Sequence, residues 1–203
     1  MIKNFGKNVE TIWKDLRPGT KKMLAGALDT NQSVQKQKFS YDAHADWELS
    51  SLLNALDQSV RDRLTDKKAK IEVNEINHLA EICAGVLQSQ TMSAEVFIQL
   101  AKRALAKNDY ARIDKLADIL FDRYSAGEIA EIIRQTELAQ IRAIAYETLA
   151  VLPTEFVEPL LDDPLYFEIA FAVLEQQAIE FESEKAREIL ENLESDFRFE
   201  LGF

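Results

Sequence analysis

The chain has little glycine and little proline, with 6 Gly and 4 Pro among 203 residues. Both residues interrupt regular helices, so their scarcity suits a protein that is built mainly from helices. Long alternation of apolar and polar residues, which is typical of a half-buried strand, is also missing. We therefore predict an all-α protein, and the length favours a domain with a substantial core.

Cysteine occurs once, and this excludes an internal disulfide framework. Cys83 shares the apolar side of a predicted helix with Leu79, Ile82 and Val86, which favours a small core residue over a reactive thiol. No stretch approaches the roughly 20 apolar residues of a membrane span. Residues 1–16 lack the hydrophobic region of a secretory signal. We expect a soluble, cytoplasmic protein.

Residue patterns that carry catalytic or metal chemistry are lacking too. His44 and His78 stand in different predicted helices without metal-ligand spacing. The sequence has neither a glycine-rich phosphate loop nor a G-x-S-x-G nucleophile turn. Paired carboxylates such as Asp114 and Asp118 occur at helical spacing, which is typical of a solvated helix face. We predict a non-enzymatic protein without catalytic residue, cofactor or metal.

The net charge of −11 is unevenly distributed along the chain. Residues 1–38 hold 3 acidic and 8 basic side chains, whereas residues 136–203 hold 16 acidic and 4 basic ones. The chain thus has a cationic start and an anionic end. Such asymmetry bears on partners and solubility more than on fold.

The segment Glu137–Pro153 is predicted to be a helix with a wide apolar face, because its apolar residues recur at helical spacings of three and four. A frame shift of 28 residues to either side places similar residues over it. The equivalent sets are Ile113, Ile141 and Ile169; Leu116, Ile144 and Ala172; and Ala117, Ala145 and Val173. A repeat of this length with one supersecondary unit in each period predicts a stacked solenoid.

Each predicted unit consists of a helix A, a tight polar turn and a helix B. The units cover residues 93–124, 125–152 and 153–181, and residues 45–90 form a degenerate first repeat. Ser125 has the spacing of a capping residue for the second of these units. Ser183 starts a final helix with a polar outer face, which suits the cap of a solenoid.

The middle helix B carries an acidic residue, an Ile-Arg pair, an alanine and a leucine down one face: Glu137, Ile141, Arg142, Ala145 and Leu149. This order resembles HEAT repeats in their shorter bacterial form. The flanking units lack the arginine and have Asp114 and Ala170 at that position. The resemblance implies a right-handed α-α superhelix of about three to four helix pairs, and no particular activity.

Residues 2–16 form an amphipathic pattern, with an apolar face of Ile2, Phe5, Val9, Ile12, Trp13 and Leu16. The polar segment 30–42 predicts a linker, so we divide the chain into 1–42 and a repeat domain, 43–203. Three alternatives fit the first helix. It packs on its own first repeat, it packs on a partner or a second copy of the chain, or it lies on an anionic membrane surface. The small number of charges on this helix disfavours the membrane.

We expect a scaffold or adaptor module that binds a basic protein or peptide on its repeat surface. Aromatic residues and arginine dominate interface energies, so the candidate anchors are Tyr110, Arg134, Arg142, Tyr146, Tyr166 and Phe167. An acidic patch of Glu184, Glu188, Glu191 and Glu194 predicts a basic partner and salt-sensitive association.

Two other functions stay open at this point. A nucleic-acid-binding HEAT-like repeat protein is the alternative, with a basic cluster of Lys102, Arg103, Lys107, Arg112 and Lys115. The anionic C-terminal third disfavours it, because it would repel phosphates. The third is an enzyme whose carboxylates meet in a cleft.

Overall fold

The computed structural model describes residues 2–28, 41–63 and 70–200. Every regular element in these ranges is helical, which confirms the all-α prediction. The α-helices are α1 (Lys7–Asp15), α2 (Pro18–Leu28), α3 (Ala43–Arg63), α4 (Lys70–Gln90), α5 (Ala94–Ala106), α6 (Tyr110–Arg123), α7 (Ala126–Gln135), α8 (Ala139–Val151), α9 (Thr154–Val157), α10 (Phe167–Glu180) and α11 (Glu184–Glu200). Short 3-10 helices cover Ile2–Asn4 and Glu158–Asp162.

The helices group into two compact units, Met1–Val96 and Phe97–Phe203. The predicted linker at 30–42 lies almost wholly outside the described residues, and the division into 1–42 and 43–203 stays a prediction. In the described part of the chain, no helix has the length and apolarity that crossing a bilayer requires.

The first unit is centred on α3 and α4, which pack against each other along their length. Leucines of α3 and small or branched residues of α4 supply the buried side chains: Leu49, Leu52, Leu53, Leu56, Ile76, Leu79, Ala80 and Cys83. The sulfur of Cys83 lies 3.2 Å from the main-chain oxygen of Leu49. Cys83 is therefore a core residue, as its position on the helix predicts.

The amphipathic N-terminal segment packs against α3 of its own unit. Phe5 and Val9 are fully buried there. The hydroxyl of Ser59 donates to the main-chain oxygen of Phe5 at 2.5 Å, and Arg63 donates to that of Asn4 at 2.9 Å. The structure thus shows the first of the three alternatives. Association of two copies through residues 2–16 stays a prediction.

A buried carboxylate fixes the corner between α1 and α2. Glu48 is only 2% exposed and accepts hydrogen bonds from the main-chain nitrogen of Arg17 at 2.6 Å, the Nε of Arg17 at 3.0 Å and the hydroxyl of Thr20 at 2.5 Å. Burial acts to raise the pKa of Glu48, but the hydrogen bonds from Thr20 and Arg17 outweigh it and leave the pKa lowered. Arg17 also pairs with Asp42 at 2.7 Å.

In the second unit, neighbouring helices pack against each other. Helix α8 lies at its centre and contacts α6, α7 and α10, while α10 also contacts α7 and α11. Helix α5 approaches the end of α6 through the rings of Phe97 and Tyr124, whose centroids are 5.7 Å apart. Ser125 caps α7 by accepting from the main-chain nitrogen of Glu128, as predicted. These contacts place neighbouring helix pairs side by side.

Helix A of the last pair is broken into two short pieces, α9 and the 3-10 helix Glu158–Asp162. Pro159 stands at the start of the second piece. Proline removes a main-chain donor, which prevents a continuous α-helix from passing through this position.

Several residues 28 positions apart are buried on both α8 and α10: Ile141 and Ile169, Ala145 and Val173, and Ala150 and Ala178. Other pairs at this interval differ, since Arg142 is exposed and Ala170 is buried, so the helical repeat stays a prediction.

Helix α6 departs from this register. Leu116 and Leu120 are buried there, whereas Ile113 is half-buried. Ala172, which the repeat pairs with Leu116, is exposed, so that predicted equivalence is wrong. Compared with the face that the 28-residue register predicts, the buried face of α6 is displaced by about one residue along the sequence. The HEAT-like superhelix therefore stays a prediction.

Candidate protein-interaction surface

The structure brings two of the predicted anchors together at Glu131 on α7. Arg134 donates to Glu131 through Nε and Nη2, both at 2.6 Å, in a bidentate ion pair. The hydroxyl of Tyr166, in the turn before α10, donates to the same carboxylate at 3.0 Å. Gln135 adds a further hydrogen bond at 2.5 Å. The cluster links α7 to the start of α10.

The electrostatics of this cluster follow from those bonds. The hydrogen bonds from Arg134 lower the pKa of Glu131 to about 2; burial opposes this shift, and Gln135 and Tyr166 add to it. Burial and the bond to Glu131 raise the pKa of Tyr166. Arg134 and Tyr166 therefore have a structural role, and their role as binding anchors stays a prediction.

The other predicted anchors are spread over the unit. Phe167 is half-buried and stacks on Phe171 with ring centroids 6.1 Å apart. Arg142 is exposed on α8 and donates to the main-chain oxygen of Thr136 at 2.7 Å. Tyr110 is exposed at the start of α6, and Tyr146 is half-buried on α8. Within the described residues, neither a hydrogen bond nor a ring contact joins Tyr110 or Tyr146 to another anchor.

The acidic patch lies on α11. Glu184, Glu188 and Glu191 are exposed on one side of this helix, and the side chain of Glu194 lies outside the described residues. None of these three forms an ion pair with another described residue. The neighbouring Lys185 pairs instead with Glu155 at 3.1 Å and Glu158 at 3.7 Å. The exposed carboxylates of Glu184, Glu188 and Glu191 are therefore accessible to a cation from solution.

Exposed apolar residues lie near the carboxyl-terminal ends of the three central helices. The prediction of anchors from the sequence did not include them. Phe121 on α6, Val151 on α8 and Phe181 after α10 are each slightly more than half exposed. We call these residues the apolar row. The signal was present in the sequence, because they are equally spaced at positions 121, 151 and 181.

Two grooves separate the members of this row. The first, about 440 Å³, lies between α6 and α8, and the second, about 350 Å³, lies between α8 and α10. Val151 lines both grooves, Phe121 lines the first and Phe181 the second. Val151 is thus a wall common to both grooves, which adjoin at the end of α8.

Carboxylates surround the first groove. Asp118, Asp122 and Glu147 line it, all three are exposed, and none has an ion-pair partner among the described residues. The carboxyl-terminal ends of α6 and α8 add the negative ends of two helix dipoles. The groove therefore combines apolar walls with a negative potential.

Among the described residues, no group of three or more His, Cys, Asp or Glu side chains is arranged to hold a metal ion. The basic cluster proposed for nucleic acid is reduced, because Arg103 is buried at 7% exposure. The described part of the second unit does offer a ligand the apolar row and the unpaired carboxylates.

No known protein family matches this chain, and comparisons with curated proteins and with solved structures find no significant match either. Family membership therefore contributes nothing to the assignment of function, which depends on the residues described above.

Proposed function

We propose that this protein is a non-enzymatic scaffold or adaptor that acts in the cytoplasm and binds a basic protein or peptide on its second unit. In this proposal α6, α8 and α10 are the B helices of a HEAT-like right-handed superhelix. One observation carries it: exposed carboxylates on α11 and between α6 and α8 have no cationic partner among the described residues. A basic partner would neutralise them and associate rapidly through long-range attraction.

The test compares two charge reversals of equal size. The first variant changes Glu184, Glu188 and Glu191 to Lys. The control changes Asp15, Glu75 and Glu95 to Lys, which are exposed and unpaired carboxylates of the first unit. Both variants alter the net charge equally, so any difference between them reports the location of the charge.

The probe is a fluorescent pool of Lys- and Arg-rich peptides, and the readout is anisotropy at about 50 and 200 mM salt. The wild-type protein should bind more weakly at the higher salt, and the first variant should bind more weakly than the control. Equal binding by both variants would show that α11 plays no part. Absence of binding to the pool at low salt would refute the proposal.

Nucleic-acid binding is the alternative function, and the buried position of Arg103 counts against it. A gel shift with single- and double-stranded probes at about 100 mM salt separates the two. The proposal expects free probe only. A shift that disappears in Lys102→Glu and Lys107→Glu variants would favour the alternative.

A further inference from the structure

We propose that the apolar row and its two grooves are the docking face of this protein, and that the face takes a basic amphipathic segment of the partner. Apolar side chains of that segment would enter the grooves on either side of Val151, and its Lys or Arg side chains would meet Asp118, Asp122 and Glu147. The inference rests on the proposed function and adds the place and the chemical form of the ligand.

The first groove is lined by residues from the last turns of α6 and α8, and the second by the end of α8 and residues between 177 and 183. The three helices therefore end at one edge. The exposed apolar residues near these ends are 30 positions apart, which is two more than the 28-residue interval between the predicted core positions.

Phe121, Val151 and Phe181 remain more than half exposed although each has a groove beside it. An exposed apolar patch with a polar rim is typical of an interaction site, whereas single exposed residues are ordinary. Phe156 and Leu165 are of the ordinary kind, because they are exposed but line neither groove. They serve below as controls.

The charge of the first groove selects the occupant. Unpaired carboxylates of the first groove and the negative ends of the helix dipoles favour cations and repel phosphates or acidic peptides. A purely apolar ligand would leave these carboxylates partly desolvated without a partner, which costs free energy. A segment with both apolar and basic side chains would contact the apolar walls of the groove and pair with the carboxylates at its rim.

The second groove is held by hydrogen bonds between its helices. The buried amide of Gln177 on α10 donates to the main-chain oxygens of Ala150 and Leu152 at the carboxyl-terminal end of α8, and all three residues line this groove. These bonds fix the two walls relative to each other, which lowers the entropic cost of binding.

The test starts from a display library of peptides about 18 residues long, in which each position is Lys, Arg, Leu, Ile, Phe or Ala. Peptides selected on the wild-type protein are labelled, and their affinity is measured by anisotropy against two double variants. Phe121→Ser with Val151→Ser removes the two walls of the first groove. Phe156→Ser with Leu165→Ser is the matched control. All four residues are more than half exposed, so both variants should fold, and thermal melts check this.

We expect the first variant to bind the selected peptide at least tenfold more weakly, and the control variant to match the wild type. The same peptide with its basic residues changed to Glu should fail to bind. Equal affinities for the two variants would overturn the docking face and leave the proposed function intact. Selection of no peptide would overturn the proposed function itself.

Light scattering tests a different occupant of the same face. A wild-type dimer that becomes monomeric in Phe121→Ser with Val151→Ser would show that a second copy covers the grooves. That result would overturn the assignment to a basic segment of another protein, whereas a monomer supports it.

Discussion

The side-chain nitrogen of Gln177, on α10, lies 2.9 Å from the main-chain oxygen of Ala150, at the end of α8. The same nitrogen donates to the main-chain oxygen of Leu152 at 2.8 Å, and the amide oxygen accepts from the hydroxyl of Thr154 at 2.9 Å. Gln177 is only 3% exposed. One polar side chain thus satisfies the carboxyl end of a neighbouring helix, where main-chain oxygens lack partners within the helix.

Replacing Gln177 by Ala should therefore lower the free energy of unfolding by about 2–3 kcal/mol, because buried main-chain oxygens lose their donor. The measurement is urea denaturation followed by circular dichroism. The control is Gln176→Ala, since Gln176 is only half-buried and has an exposed hydrogen bond to Glu180. Its effect should stay within about 0.5 kcal/mol. Similar midpoints for the two variants would show that the Gln177 bonds contribute little.

A second prediction concerns the centre of the repeat pattern. Ile141 is 1% exposed, so Ile141→Asp would bury an unpaired charge and should cost about 3–5 kcal/mol. Because α8 contacts α6, α7 and α10, hydrogen exchange should rise in those helices as well as in α8. Ala143→Asp is the control, since Ala143 is exposed on the same helix. A marginal change in the melting temperature of Ile141→Asp would contradict this placement.

Helical periodicity predicted the all-α fold and the helix pairs because apolar residues recur wherever a helix faces the core. The burial of Cys83, Ile141 and Ala145 could be predicted on this basis. The register of α6 could not, because Ile113 and Leu116 are both apolar and sequence similarity does not say which of them faces inward.

The surface was harder to predict for a related reason. Arg134 and Tyr166 were predicted as anchors by residue type alone. The sequence does not show that Glu131 is hydrogen-bonded to both of them. Contacts between residues far apart in the chain decide whether such a side chain is available. Exposed apolar residues such as Phe121 and Val151 look like core residues until the packing of the neighbouring helices is known.

A third prediction concerns the corner of the first unit. Glu48→Ala would leave the main-chain nitrogen of Arg17 and the hydroxyl of Thr20 without their acceptor, and we expect a loss of about 2–4 kcal/mol. Hydrogen exchange should increase in α1 and α2 in particular. Glu75→Ala, at an exposed and unpaired position of α4, is the control. Unchanged protection of α1 and α2 in Glu48→Ala would mean that apolar packing alone holds this corner.

The last prediction is the pH dependence of the Glu131 cluster. Its pKa of about 2 lies below the unfolded value, so ionised Glu131 stabilises the fold above about pH 4.3. This contribution is lost as the pH falls from there towards 2. Solvent around Arg134 weakens the interaction, so we expect it to amount to about 1–2 kcal/mol.

The free energy of unfolding is compared between the wild type and Glu131→Gln as a function of pH. The other carboxylates are common to both proteins, so the difference reports Glu131. The wild type should be the more stable at pH 7, and the difference should shrink between pH 4.3 and pH 2. Glu137→Gln, at an exposed and unpaired position, should show no such change. A wild-type advantage that persists undiminished to pH 2 would mean that hydrogen bonding independent of charge holds Tyr166 and Arg134 to α7. In that case the cluster would still join α7 to α10, but acid would not loosen it.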